Sequence, residues 1–144
     1  MIRIQLFDAY ITQEDQVSYK QGQKLMNFRK YFGPERRDII MLWKAKYKDI
    51  TFCGLDAREP VHSKERKVTT KFYCQHYGKS ISIQHWEETC DYYSKHFPYE
   101  TYGKKWMQRK GKAIHMKSDF QAHLYEWGEE LFKNSIVIHP NFAK

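Results

Sequence analysis

IQHWEETCDYYSKHFP, residues 83–98, gives this chain its clearest secondary-structure signal. Apolar side chains recur in it at positions 83, 86, 90, 93 and 97, which is the spacing of one face of an α-helix. Pro98 cannot continue a helix, so the pattern predicts an amphipathic helix over 83–97. Such a helix must bury its apolar face against another layer, which in an α+β protein is a sheet.

The sequence before this helix is mainly of strand character. Residues 2–11 alternate well enough to predict a first strand. Residues 39–48 and 50–55 predict two more strands, separated by a turn, and residues 67–77 predict a fourth. Residues 56–64 are polar and contain a proline, which is typical of a loop.

One early segment has helical spacing. Leu25, Phe28 and Phe32 follow one another at i, i+3 and i+7, so residues 13–32 predict a helix with one apolar stripe. The adjacent Gly33 and Pro34 are expected to end it.

The C-terminal part predicts a further helix. Residues Ser118 to Gln121 form a capping-box sequence, and apolar residues keep helical spacing behind it as far as Leu131. Residues 135–139 predict a last short strand. The resulting order, β-α-β-β-β-α-α-β, predicts one small α+β domain over 1–144. Its sheet is expected to be mostly antiparallel, with about three helices packed on it.

Composition excludes several classes of protein. Aromatic residues make up 17% of the chain, which argues against disorder. No apolar run approaches the length of a membrane span, and the N-terminal residues lack the apolar core of a signal peptide. Three cysteines are too few, and odd in number, for a disulfide framework. We therefore expect a cytoplasmic protein in a reducing environment.

The net charge of +8 is unevenly distributed. Residues 20–48 contain nine basic and two acidic side chains, and residues 101–118 contain six basic side chains and no acidic one. Segments 85–100 and 119–144 are net acidic. A chain polarised in this way has the electrostatic pattern of a polyanion-binding protein.

The sharper basic segment, residues 99–112, alternates cations with aromatic rings. Cations that follow phosphates and rings that stack on bases are the combination used to hold single-stranded nucleic acid. The residues predicted to bind nucleic acid there are Tyr99, Tyr102, Lys104, Lys105, Trp106, Arg109, Lys110 and Lys112.

Two further groups of basic residues are expected to extend this surface. Lys44, Lys46 and Lys48 would share one face of the predicted strand, because alternate strand residues point the same way. Arg36 and Arg37 lie shortly before it. The leading hypothesis is a non-enzymatic protein that binds DNA, RNA or a nucleoprotein, with no cofactor. The alternative is a protein-interaction module, an inhibitor or adaptor of a nucleic-acid-processing enzyme, whose basic face docks on an acidic protein surface.

A third hypothesis is a metal-dependent nuclease. Asp56, Glu65 and Lys67 have the D…E-x-K spacing in which two carboxylates hold Mg²⁺ and the lysine steadies the phosphate or the water. The residues around Glu65 are polar rather than apolar, so the pattern favours a surface salt-bridge cluster.

Other chemistry has weaker support. His and Cys residues from Cys74 to His123 lack the paired spacing of a zinc site. Cys74 and His76 would share a strand face as a nucleophile–base pair, but the sequence supplies no third residue to orient them. Cys90 falls on the apolar helix face, where a buried thiol is expected. No glycine-rich phosphate loop is present in the sequence.

Overall fold

The computed structural model describes residues 1–53 and 59–128, with the side chains of 34–37 left out of the description. It is a small α+β fold whose sheet is mostly antiparallel, as the sequence predicts. The described residues contain two α-helices, fewer than the three expected. The strands are β1 (Ile2–Tyr10), β2 (Tyr31–Leu42), β3 (Ile50–Thr51), β4 (Val61–His62), β5 (Thr69–His76) and β6 (Tyr125–Glu126). The helices are α1 (Ile83–His96) and α2 (Lys104–Arg109), joined by a π-helical turn (Tyr99–Gly103).

Strand β1 lies in the middle of the main sheet, whose strand order is β5-β1-β2-β6. It pairs with β2 antiparallel and with β5 parallel, while β6 pairs antiparallel with the other side of β2. β3 and β4 form a separate two-stranded sheet. Residues 5–10 of β1 are all buried, because the sheet is covered on both faces there.

The two faces of β1 contribute to different parts of the core. Phe7 and Ala9 join Phe32 and Tyr77 in one apolar cluster. Asp8 and Tyr10 alternate with them and therefore point to the opposite face. On that side α1 and α2 pack together around a second cluster, which contains Trp86, Cys90, Trp106 and Ala113.

The predicted helix over 83–97 is confirmed as α1. The Ser82 side chain accepts a hydrogen bond from the backbone N–H of His85 at 3.0 Å and caps its first turn. Trp86 and Cys90 are its fully buried residues, as the apolar spacing predicts. The helix ends at His96, two residues before Pro98.

The predicted helix over 13–32 is wrong. Residues 13–30 form loops and turns, and the chain from Tyr31 onward belongs to β2. The Asp15 carboxylate fixes the loop by accepting hydrogen bonds from the Arg29 side chain and the Lys30 backbone N–H, both at 2.8 Å. Phe32 is fully buried against Tyr77, so the apolar spacing reflects contacts between distant segments.

The predicted strand 39–48, which carries the three lysines, is also wrong beyond residue 42. β2 ends at Leu42, and residues 43–48 form turns, so Lys44, Lys46 and Lys48 do not share a strand face. The next predicted strand, 50–55, is reduced to β3, whose partner β4 lies in the predicted loop 56–64. Residues 54–58 lie outside the described residues.

The predicted helix from 118 onward is wrong as far as residue 128. The Ser118 hydroxyl does accept backbone N–H hydrogen bonds, from Phe120 at 3.2 Å and Ala122 at 3.1 Å. However, Gln121 has a φ of 62°, which breaks a right-handed helix, and the chain continues into β6. Residues 129–144, with the predicted strand 135–139, lie outside the described residues.

Candidate functional site

A cavity of about 350 Å³ lies between the main sheet and the two α-helices. Its wall combines side chains from β1, β5, α1 and α2 with two connecting segments, 78–79 and 119–120. Its charged or titratable residues are Asp8, His76, Lys79, Lys105, Arg109 and Asp119, and its aromatic residues are Tyr93, Tyr102, Trp106 and Phe120. This volume and this mixture of rings with a few polar groups are typical of small-ligand sites.

Five of these residues form a continuous chain of polar contacts, here called the ion-pair chain, in which a hydrogen bond joins His76 to Asp8 and ion pairs join the others. Asp8 places one carboxylate oxygen 2.5 Å from His76 Nδ1 and the other 2.5 Å from Lys79 Nζ. Lys79 also lies 2.5 Å from an Asp119 oxygen, which Arg109 approaches to 2.8 Å. The chain therefore connects β1, β5, α2 and both connecting segments at one place.

Lys79 is the centre of this chain. Burial by itself would lower the pKa of its ammonium, but Asp8, Tyr10 and Asp119 outweigh burial, and the pKa is raised. For Asp119, burial would raise the pKa, but Lys79 and Arg109 lower it. Both groups are therefore ionised at neutral pH. The buried Asp8 and the partly buried Asp119 are each paired with a cation, which offsets the cost of removing their charge from water.

Tyr10 lies next to the ion-pair chain and is hydrogen-bonded to Asp119. Its hydroxyl oxygen accepts a hydrogen bond from the backbone N–H of Asp119 at 3.0 Å, and burial strongly raises the pKa of the phenol. An added Cβ at Gly33 would lie 2.8 Å from the Tyr10 ring and 2.6 Å from Ser118 Cβ. Gly33 therefore allows β2 to approach the Tyr10 ring closely. The sequence had predicted this glycine as the end of a helix.

His76 is the most accessible member of the ion-pair chain, with 44% of its side chain exposed. It occupies the last position of β5 and is paired in register with Asp8 of the parallel strand β1. A Cβ at Gly78 would lie 3.0 Å from both Cε1 and Nε2 of the His76 ring. Gly78 therefore leaves room for the His76 ring.

Residues 99–109 of the basic-aromatic segment are helical. Trp106 is only 9% exposed and belongs to the core, where Tyr93 stacks on it with ring centroids 4.7 Å apart. The Arg109 guanidinium lies 4.9 Å from the Trp106 ring centroid. Tyr102 is half-buried and packs edge-on against Phe97, so the rings that line the cavity also stabilise the helices.

The cations of this segment point in several directions. Lys105 and Arg109 line the cavity, whereas Lys104 and Lys112 do not. Lys104, Lys105 and Lys112 are all exposed. Lys110 pairs with Asp91 of α1 at 2.5 Å, and the hydrogen bond to Asp91 raises the pKa of its ammonium. Tyr99 is exposed at the start of the π-helical turn.

The other predicted basic residues lie in different parts of the fold. Lys46 and Lys48 line a separate, open depression with Asp49 and Arg66, none of which lines the cavity. Lys44 is exposed in the same series of turns. Arg36 and Arg37 belong to β2, and their side chains are outside the description.

The described residues of the D…E-x-K pattern are not buried. Asp56 lies outside the described residues, and Glu65 and Lys67 are exposed in the irregular segment between β4 and β5. Arg66 between them pairs with Asp49 and lies 4.2 Å from the Tyr47 ring centroid. Within 1–53 and 59–128, no group of three or more His, Cys, Asp or Glu side chains is arranged to hold a metal ion.

The Cys74–His76 pair has no arrangement typical of an activated nucleophile. Burial raises the pKa of the Cys74 thiol, whereas a nucleophilic cysteine needs a lowered pKa. The His76 Nδ1 atom is occupied by Asp8 instead. Asp8 is therefore the orienting carboxylate that the sequence did not identify. It orients the histidine alone, and not a histidine–thiol pair.

Sequence patterns did not identify Asp8, Lys79 or Asp119 as site residues. The one available signal is Asp8, a carboxylate within the apolar run Leu6–Ile11, since a charge on a central strand must have a partner. Lys79 and Asp119 lie in connecting segments where charged residues are ordinary.

Comparison of the chain with protein-family models, with curated proteins and with solved structures found no match. In the described part of the chain, none of the helices has the length and apolar character needed to cross a bilayer.

Proposed function

We propose that the protein binds single-stranded nucleic acid at the mouth of this cavity. The observation that carries the proposal is the placement of Lys105 and Arg109, from the most basic segment of the chain, on the wall that also holds Tyr93 and Tyr102. Cations next to rings at one opening match the chemistry of a phosphate followed by a base.

The charge around the opening supports a polyanionic ligand. Residues 101–118 contain six cations and no acidic residue, and Lys104, Lys112 and Lys117 are all exposed. Among the described residues that line the cavity, three cations face two carboxylates, an excess of one positive charge before His76 is counted. A strand running over α2 would therefore neutralise phosphates outside the cavity while one nucleotide enters it.

The ring arrangement favours an unpaired strand. Bases of a duplex are already stacked on one another, and only an unpaired base can turn into a cavity lined by aromatic side chains.

Fluorescence anisotropy with labelled oligonucleotides tests the proposal. We expect single-stranded RNA or DNA to bind more tightly than duplex, with affinity falling steeply between about 50 and 200 mM salt. The Lys104→Ala/Lys105→Ala double variant should reduce the salt slope by about 1.4, since each single-strand phosphate contact contributes about 0.7.

Lys20→Ala/Lys24→Ala is the matched control, because it removes the same charge from two exposed residues of the 13–30 loop. It should leave the slope unchanged. Equal effects of the two double variants, or no binding at low salt, would contradict the proposal.

A second candidate function is docking on an acidic protein surface. Among the described residues, four large apolar side chains are exposed on or after α2, namely Met107, Ile114, Met116 and Phe120, and Met116 is 91% exposed. Exposed methionines next to cations fit a protein interface better than a phosphate backbone. A stoichiometric complex with one acidic protein, lost in a Met107→Ser/Met116→Ser variant that still binds oligonucleotides, would support this function.

A further inference from the structure

We propose that His76 is a general base that cleaves RNA by activating the 2′-hydroxyl of a nucleotide bound in the cavity. This inference rests on the proposed binding of nucleic acid and adds a reaction to it. It departs from the sequence-based expectation of a non-enzymatic protein.

Asp8 holds the His76 ring in one orientation. Its carboxylate is buried in the central strand, with one oxygen 2.5 Å from His76 Nδ1 and the other 2.5 Å from Lys79 Nζ. Because both oxygens have partners, the carboxylate is fixed, and it accepts the proton of Nδ1. The lone pair of the imidazole is then on Nε2, the tautomer that a general base requires.

The His76 side chain reaches the cavity. His76 lines the cavity and is 44% exposed, in contrast to the buried Asp8. Gly78 packs against the same ring, because a Cβ there would lie 3.0 Å from both Cε1 and Nε2. The backbone of Gly78 is not in the left-handed region, so the structural reason for a glycine here is the room that the imidazole itself needs.

Three cations on the same wall oppose the charge that develops on the phosphate. Lys79 and Arg109 are held in place by Asp119, and Lys105 is the third. Donors fixed before the reaction cost no reorganisation when the pentacoordinate phosphorus gains negative charge.

The reaction needs no further reagent. His76 Nε2 takes the proton of the 2′-hydroxyl, the 2′-oxygen forms a bond to phosphorus, and the P–O5′ bond breaks. The departing 5′-oxygen takes a proton from water, and the imidazolium returns its proton to solvent. The products are a 2′,3′-cyclic phosphate and a 5′-hydroxyl, and nothing is oxidised or reduced. RNA is the substrate class, because DNA lacks the internal nucleophile.

The experiment follows a labelled single-stranded RNA and the same RNA with 2′-O-methyl groups throughout. The wild-type protein should cleave the first to cyclic-phosphate ends and bind the second without cleaving it. His76→Gln should lower the cleavage rate by about 10²- to 10⁴-fold, the usual contribution of a general base, with binding of the methylated RNA unchanged. The matched control is His96→Gln, an exposed histidine that does not line the cavity, and it should cleave at the wild-type rate.

Asp8 is a positioning residue, and its test needs a readout other than stability. Asp8→Asn should lower kcat with little change in KM, and the ¹⁵N spectrum of His76 should change from the Nδ1-protonated tautomer to a mixture. An unchanged tautomer signal in Asp8→Asn would contradict this role.

The outcomes separate the two proposals. Binding of methylated RNA without cleavage of the unmodified RNA would overturn the inference and leave the proposed function intact. Cleavage retained by His76→Gln, or cleavage at a site with a 2′-deoxy substitution, would also overturn it. Absence of binding to every oligonucleotide would overturn both.

Discussion

The ammonium of Lys79 lies 2.5 Å from a carboxylate oxygen of Asp119, and Asp8 approaches the same ammonium to the same distance from the central strand. One lysine therefore bridges two carboxylates that lie far apart in the chain. Removal of a single member from such a buried network leaves uncompensated charge, which is far more destabilising than loss of an exposed pair.

Lys79→Met should therefore destabilise the protein by about 3–5 kcal/mol, because Asp8 and Asp119 lose the cation between them. The control is Lys30→Met, which removes the exposed ion pair with Glu126 and should cost far less stability. Urea unfolding followed by tryptophan fluorescence measures both. Similar losses in the two variants would show that the network around Lys79 is not a buried one.

Stability should fall on acidification from neutral pH. His115 packs edge-on against Tyr10 and Trp86, and burial lowers the pKa of its imidazole. A group whose pKa is lowered in the folded state contributes stability above its unfolded pKa, near 6.5 for histidine, and loses it as pH falls through the folded value. The lowered pKa of Asp119 extends the loss to more acidic pH.

The free energy of unfolding at pH 7.5, 6.5 and 5.5 measures this dependence. In His115→Gln the slope over this range should be flatter than in the wild type. An identical slope in the two proteins would mean that His115 is not the group that titrates.

Substitution should destabilise the protein at Gly33 and have little effect at Gly22. Gly33→Ala places a methyl group 2.6 Å from Ser118 Cβ inside the sheet, and overpacking of this kind costs about 1–3 kcal/mol. Gly22 has a φ of 84° and open space around it, so Gly22→Asn should change stability by less than about 0.5 kcal/mol, because asparagine tolerates the left-handed conformation at an exposed site. Thermal unfolding of both variants tests the close approach of β2 to Tyr10, which a harmless Gly33→Ala would refute.

The three cysteines should react with a thiol reagent at clearly different rates. Cys53 is exposed, Cys74 is half-buried, and Cys90 is fully buried, with burial raising the pKa of its thiol to about 11. The thiolate is the reactive form, so Cys53 should react first and Cys90 only on unfolding. Absorbance with a chromogenic disulfide should show one fast thiol in the native protein, missing in Cys53→Ser, and three thiols in denaturant. Fast reaction of Cys90 would contradict its place in the core.

The elements that the sequence predicted well are those whose signals are local. The spacing from Ile83 to Phe97 and the stop at Pro98 define α1, and alternation defines β1. The helix predicted over 13–32 is wrong because Phe28 and Phe32 have helical spacing but contact Tyr77, which lies far along the chain. Periodicity records that residues are buried together, not which distant surface buries them.

The site was only partly predictable for the same reason. Lys105 and Arg109 were identified from charge and composition, because a basic segment is a local feature. The Asp8–His76 pair depends on β5 lying parallel to β1 in one register, and a shift of one residue would separate the two side chains. Trp106 was expected to offer its ring to bases, whereas it completes the core between α1 and α2.

Photo-crosslinking of a single-stranded RNA that contains 4-thiouridine, with the attachment sites mapped by mass spectrometry, tests most directly where nucleic acid lies on this protein. We expect attachment within the peptides that contain Tyr93, Tyr102 and Lys105, reduced in Lys104→Ala/Lys105→Ala and retained in Lys20→Ala/Lys24→Ala. Attachment confined to residues 44–48, or none at protein concentrations where anisotropy shows saturation, would contradict the account.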